Sequence, residues 1–286
     1  MKEHAYKNGN VFIGVKEDGS KIYYTPDGEE PNPIYPETIN LKITNKCDIE
    51  CGYCCEGSTC SGKHGHLGHL FLNYLPPYTL VNVIGGAPMS HPNLYDFLVR
   101  MKKQGVICTL TVHWMSFTLH ANDLLSWSKQ GLIHKLYVSV NQVVYCDVFN
   151  AFEHFPNICV TVIAGVADVG VFRQMANRNL DLLIRGYKCS GKGEAYKEKA
   201  ESNFQENMSW LKSNINELVK WNKSVSVDSR AVAQLELTSG GWVPAEDLWP
   251  IYIDLSTERY ALNAESKRHR ILSHNIRKLY AIARKG

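Results

Sequence analysis

The chain has 286 residues, of which 44% are hydrophobic and 21% charged, and its formal net charge is +3 at pH 7. That length and hydrophobic content suit one large domain, or a domain with small additions, and argue against a disordered chain; with no long uninterrupted apolar run, no membrane span is expected. The small net charge does not by itself imply a nucleic-acid partner, and nine cysteines without a signal-peptide pattern suggest a reducing, cytoplasmic compartment.

Residues 1–37 read as a β-hairpin and linker. Strands are expected over 10–15 and 21–24 around an acidic turn containing Asp18 and Gly19, and Pro26, Pro31, Pro33 and Pro36 then make an extended connection. From residue 38 onward strands alternate with helices. The expected strands are 38–44, 80–84, 106–113, 135–140, 158–163 and 180–185, with helices at 94–104, closed by Gly105, and at 121–129, closed by Gly131. Continuous apolar strands interleaved with amphipathic helices argue for an α/β fold, a parallel sheet covered by helices over residues 38–193. In such a fold the C-terminal ends of the strands carry the chemistry.

Residues 194–286 read as an extension that completes or caps the sheet. It contains a long helix at 201–221, a strand-like alternation at 225–237 and an apolar stretch at 248–255. The end of the chain is basic: Lys267, Arg268, His269, Arg270, His274, Arg277, Lys278, Arg284 and Lys285. Two readings stand side by side, a phosphate-facing tail and a solvated terminal helix that packs Ile271, Ile276, Leu279 and Ile282 inward.

Cys47, Cys51 and Cys54 form a CxxxCxxC motif directly after the first core strand. Three thiolates on one short loop suit three irons of a 4Fe-4S cluster and leave the fourth iron open. A structural zinc site is the alternative, with Cys55, Cys60, His64, His66 and His69 as further donors. Cys108, Cys146 and Cys159 lie in apolar runs and read as small core residues. A second motif, Gly85-Gly86-Ala87-Pro88, closes the strand at 80–84.

The cysteine spacing, with Tyr53 before its last cysteine, and the glycine pair that follows it resemble the radical S-adenosylmethionine (radical SAM) superfamily. The second motif there is usually Gly-Gly-Glu-Pro, so Ala87 departs from the pattern and removes a carboxylate. The resemblance implies a partial (β/α)6 TIM-like barrel, a 4Fe-4S cluster on Cys47, Cys51 and Cys54, and SAM chelated by the open iron. It also implies reductive cleavage of SAM to methionine and a 5'-deoxyadenosyl radical that removes a hydrogen atom from substrate. An electron donor such as flavodoxin or ferredoxin and sensitivity to oxygen follow from the same resemblance.

On that pattern SAM would be held by Tyr53, Gly85, Gly86, Ala87 and Pro88, by Ser139 and Asn141 at the end of the fourth strand, and by Ile163 and Gly165 after the fifth. Arg185 would meet a carboxylate of SAM or of an acidic substrate. Asp228 and Gln234 interrupt an apolar stretch and read as substrate-facing catalytic candidates, with Asp254 a weaker one. Tyr187, Cys189 and Cys146 are candidate hydrogen-atom relays. The basic tail and the lack of further cysteine clusters point to a nucleoside or nucleic-acid substrate. A peptide or small metabolite is the alternative, and a non-enzymatic zinc-binding protein is the reading from another class.

Overall fold

The computed structural model describes residues 4–16, 21–237 and 247–286, so the turn at Asp18 and Gly19 lies outside the described residues. The chain opens with an antiparallel sheet of three strands in sequential order, β1 (His4–Asn8), β2 (Val11–Val15) and β3 (Lys21–Tyr24). β1, with the sequence His-Ala-Tyr-Lys-Asn, has no apolar alternation to announce it. It is anchored by Asn8, whose buried amide donates to Tyr35 O and Glu37 Oε1 and accepts from Ile34 N. The proline-rich linker is thereby tied to the hairpin.

Six parallel strands follow in chain order, each beside its predecessor: β4 (Thr38–Lys42), β5 (Leu80–Ile84), β6 (Ile107–His113), β7 (Lys135–Ser139), β8 (Ile158–Ile163) and β9 (Asp181–Arg185). Between and after them run α1 (Leu94–Lys103), α2 (Trp114–Leu119), α3 (Ala121–Lys129), α4 (Cys146–Glu153), α5 (Val169–Met175), α6 (Gly193–Lys199) and α7 (Glu201–Trp221). The C-terminal third then adds one parallel strand to each flank of the sheet. β10 (Ser224–Val227) pairs with β9, and β11 (Pro250–Asp254) pairs with β4. Two antiparallel strands, β12 (Arg259–Ala261) and β13 (His269–Arg270), extend the β11 edge. Among the described residues the ends of the sheet do not pair with one another, so the α/β barrel is partial.

The strands are not apolar on both faces, which corrects the sequence expectation. Ile39, Leu41, Val81, Val83, Leu110, Val138 and Val160 are fully buried in the main core, which the helices complete. Their alternates, Asn40, Lys42, Asn82, Thr109, His113, Tyr137, Ser139 and Arg185, share the other face, since side chains alternate along a strand. Asn82 Nδ2 donates to Asn40 Oδ1 at 2.9 Å, and Thr109 Oγ1 donates to Asn82 Oδ1 at 2.7 Å. A face that bonds to itself across strands lines a polar half-barrel lumen.

Three further expectations are corrected. The alternation at 225–237 ends as a strand at Val227 and continues as helix α8 (Ser229–Gln234), because Asp228 caps the helix by accepting from Ala231 N at 2.7 Å. The terminal helix α9 (Ile276–Ala283) buries Ile276, Leu279, Tyr280 and Ala283, while Ile282 stays 37% exposed. Cys146 is exposed at the start of α4 and is no core residue, whereas Cys108 lies in the main core and Cys159 is buried on the lumen face level with Tyr137. Among the described residues no helix is long and apolar enough to cross a membrane.

Candidate active site

Cys47 lies five residues beyond the end of β4, so the cysteine loop leaves the C-terminal mouth of the half-barrel. Its base is a backbone clasp: Cys47 N donates to Thr59 O at 2.8 Å, Thr59 N to Asn45 O at 3.1 Å and Asn45 N to Lys63 O at 2.8 Å. Cys47 is buried, Cys51 and Cys54 are half-buried, Cys55 is half-buried and Cys60 is exposed. Burial pushes the Cys51 thiol up, the Tyr53 hydroxyl beside it opposes this, and Cys54 and Cys47 add to it. The Cys51 thiol therefore sits within electrostatic reach of both other motif thiols. Among the described residues no three His, Cys, Asp or Glu side chains are arranged to hold a single metal ion. A cluster differs in that each thiolate meets its own iron, and three soft thiol donors on one loop fit that demand.

The glycine pair seats its turn against this loop. Gly86 N donates to Thr44 O at 2.9 Å and Ala87 N to Lys46 O at 2.8 Å. A Cβ on Gly85, whose φ is +146°, would lie 2.5 Å from Thr44 O, and one on Gly86 would lie 2.3 Å from Lys46 O. Close approach of two backbones therefore demands both glycines. Ala87 and Pro88 are buried in the same turn.

Opposite, the exits of β7 and β8 are joined through Asn141, which is 5% exposed. Its Oδ1 accepts from Ile163 N at 2.7 Å, and its Nδ2 donates to Ser139 Oγ at 3.1 Å and to Tyr53 Oη at 3.3 Å. Tyr53, Ser139, Asn141 and Ile163 are thus brought together although they span more than a hundred residues. Gly165 differs from its expected role. Its φ is +78°, and a Cβ there would meet the Phe204 ring at 2.4 Å, so the space it leaves is taken by Phe204 from α7. Phe204 packs with Val166 and Tyr187, and Tyr53, Ile163 and Tyr196 border that cluster.

The exit of β9 is latched from both sides. Asp228 Oδ1 accepts from Gly186 N at 2.9 Å, and Gln234 pairs with the Tyr187 backbone, accepting from its N and donating to its O, each at 2.8 Å. These two catalytic candidates hold backbone. Tyr187 is 2% exposed, burial pushes its hydroxyl up to about 12, and that hydroxyl donates to Gly193 O. Cys189 is exposed on the same loop. The loop in turn packs on the backbone of the cysteine loop, with Lys192 N donating to Cys54 O at 2.9 Å and Ser190 Oγ to Cys55 O at 3.2 Å.

Of a charged cluster on the β11 side of the lumen, sequence reasoning found Asp254 and missed its partners. Lys42 Nζ lies 2.9 Å from Glu56 Oε2 and 3.7 Å from Asp254 Oδ2, and the Tyr252 hydroxyl donates to Glu56 Oε2 at 2.7 Å. Asp254 also accepts from Ser256 N and Oγ. It missed His113 as well, at the β6 exit. Burial lowers His113 to about 4, and its Nδ1 accepts from Met115 N, which leaves the proton on Nε2. The period-two recurrence of polar residues, Asn40 with Lys42, Thr109 with Thr111 and His113, Tyr137 with Ser139, was the available signal.

No protein-family model matches the chain, and no curated protein matches it in sequence. Solved structures do. SuiB of Streptococcus suis, bound to the precursor peptide SuiA, matches with a TM-score of 0.59 at 10% identity, covering 87% of this chain and 65% of that one. SuiB alone gives 0.59 at 9% identity, over 87% and 66%, and SuiB bound to S-adenosylmethionine gives 0.55 at 10%, over 83% and 64%. The chain therefore spans just under two thirds of SuiB. At this identity the likeness is one of fold, a partial TIM-like α/β barrel.

Proposed function

We propose that the chain is a radical SAM enzyme that modifies a peptide. The observation that carries the reading is the position of the CxxxCxxC loop at the barrel mouth, clasped to the glycine-pair turn and joined through Tyr53 to Ser139, Asn141 and Ile163. Cys47, Cys51 and Cys54 would hold a 4Fe-4S cluster, and Cys55 and Cys60 would not. When bound, that cluster supplies the electron for reductive cleavage of SAM, and the reaction's hard chemistry belongs to the cofactors. The protein's part is placement. Gly85 and Gly86 let the turn reach the cysteine loop, Asn141 and Ser139 offer hydrogen bonds to SAM hydroxyl or carboxylate oxygens, and the loop 188–193 packs on the backbone of the cysteine loop. An electron donor such as flavodoxin or ferredoxin would dock near the exposed side of the cysteine loop.

Two observations favour a peptide over a nucleic acid. SuiB, which shares the fold, was solved with its precursor peptide. In addition, several cations of the C-terminal segment are engaged within the fold. Arg284 Nη1 donates to Asn32 Oδ1 at 3.0 Å and Pro33 O at 2.9 Å, Arg268 lies 4.2 Å over the Tyr252 ring and Arg277 lies 5.7 Å over Tyr35. The reading is tested by incubating reconstituted, anaerobically reduced protein with SAM and measuring 5'-deoxyadenosine. Its formation, with loss in Cys51→Ala, is the expected result.

A further inference from the structure

We infer that Arg185 is the anchor for a substrate carboxylate, carried by an acidic side chain or the C-terminus of a peptide, inside the half-barrel lumen. The inference rests on the proposal that substrate enters this mouth, and it goes on to name the chemical group recognised. Register sets the geometry. Arg185 is level with Ile163 on β8, whereas Tyr137 is level with Cys159, four residues lower. The guanidinium nevertheless lies 5.7 Å from the centroid of the Tyr137 ring. The side chain is therefore laid back along the lumen, below the level of Asn141, and away from the residues assigned to SAM.

Charge distribution along the polar face gives the second argument. Lys42 is neutralised by Glu56 and Asp254, and Lys135 by Asp181. Asp247 is engaged by the amides of Asn40 and Asn82. Arg185 has no carboxylate in ion-pair contact among the described residues, and its Nε is buried without a hydrogen-bond partner. A buried guanidinium donor left unmatched is costly, and a ligand carboxylate removes that cost. The cation–π contact with the Tyr137 ring uses none of the guanidinium's N–H donors, which suit a bidentate acceptor. A planar anion such as a carboxylate matches that donor set.

The test uses full-length protein, both metal-free and reconstituted with SAM, titrated calorimetrically with N-acetyl-glutamate α-amide and with the isosteric N-acetyl-glutamine α-amide. The expected result is at least tenfold tighter binding of the glutamate compound in both forms. Arg185→Met should erase that preference while SAM affinity stays within twofold, and Arg185→Lys should recover part of it. Equal binding of the two compounds by the wild type, or binding of neither, overturns the inference even if the substituted proteins fail to fold. A tenfold loss of SAM affinity in Arg185→Met, with the preference intact, also overturns it and moves Arg185 to the SAM carboxylate. Because the metal-free arm does not depend on a cluster, failure of the radical SAM reading and failure of this inference remain distinguishable.

Discussion

Gln234 offers the sharpest check on how the site is held together. Its amide replaces a strand partner for Tyr187, satisfying both backbone groups at 2.8 Å, and Tyr187 begins the loop that packs on the backbone at Cys54. Gln234→Leu keeps the volume of the side chain and removes both hydrogen bonds. Each is worth about 0.5 to 1.5 kcal/mol net, so the local opening free energy of the loop should fall by about 1 to 3 kcal/mol. At a factor of ten for every ~1.4 kcal/mol, backbone amides of residues 186–193 should exchange with deuterium roughly 5- to 150-fold faster. Peptides from α7, such as those around Leu211 and Ile215, should keep their wild-type rates, because the lost bonds do not touch them. Hydrogen exchange read by mass spectrometry on the full chain gives both quantities at once. Rates over 186–193 that stay within twofold of wild type would refute the latch, and uniform acceleration across α7 would show that the change destabilised the whole fold.

Three other outcomes are expected. Asn141→Ala should weaken SAM binding about tenfold without loss of cluster, by removing one or two hydrogen bonds; an unchanged dissociation constant makes Asn141 purely a support for Ile163. Gly86→Ala should prevent stable cluster assembly and lower the melting temperature, since the new Cβ would lie 2.3 Å from Lys46 O; a reconstituted variant with full iron content contradicts the packing argument. His113 has a folded pKa lowered to about 4 by burial, so between that value and the ordinary ~6.5 the unfolded chain binds the extra proton. Its contribution to stability is accordingly present at neutral pH and lost as pH falls through that window. His113→Gln should flatten that part of the pH–stability curve, and an unchanged slope would contradict it.

The order and type of the core strands were legible because each is a short run of Val, Ile and Leu closed by a turn signal, and α7 was legible from its length and amphipathic period. The polar face of those strands was equally present in the sequence, in alternations such as Thr109, Thr111 and His113, but apolar runs that dominate a window mask a period of two. Asp228 carried the signal of a helix cap, an acidic residue three positions before a backbone donor, and this outweighed the β-branched residues that suggested a strand. Other features were not local. Nothing near Gly165 indicates that Phe204, 39 residues later, fills the space beside it. The pairing of Lys42 with Glu56 and Asp254 likewise needs β11 to lie beside β4, which only the three-dimensional register supplies. The basic tail is a weak signal because charge in sequence says nothing of partners in space: Arg284 turns back onto Asn32 and Pro33.

The account stands or falls on what the three motif cysteines bind. The decisive measurement is iron, sulfide and zinc content of protein reconstituted without oxygen, with electron paramagnetic resonance of the reduced form, for wild type, Cys51→Ala and Cys60→Ala. About four irons and four sulfides per chain are predicted for wild type and Cys60→Ala, with a reduced-cluster signal that changes when SAM is added, and no stable cluster in Cys51→Ala. Stoichiometric zinc without sulfide, or a full cluster in Cys51→Ala, would contradict it.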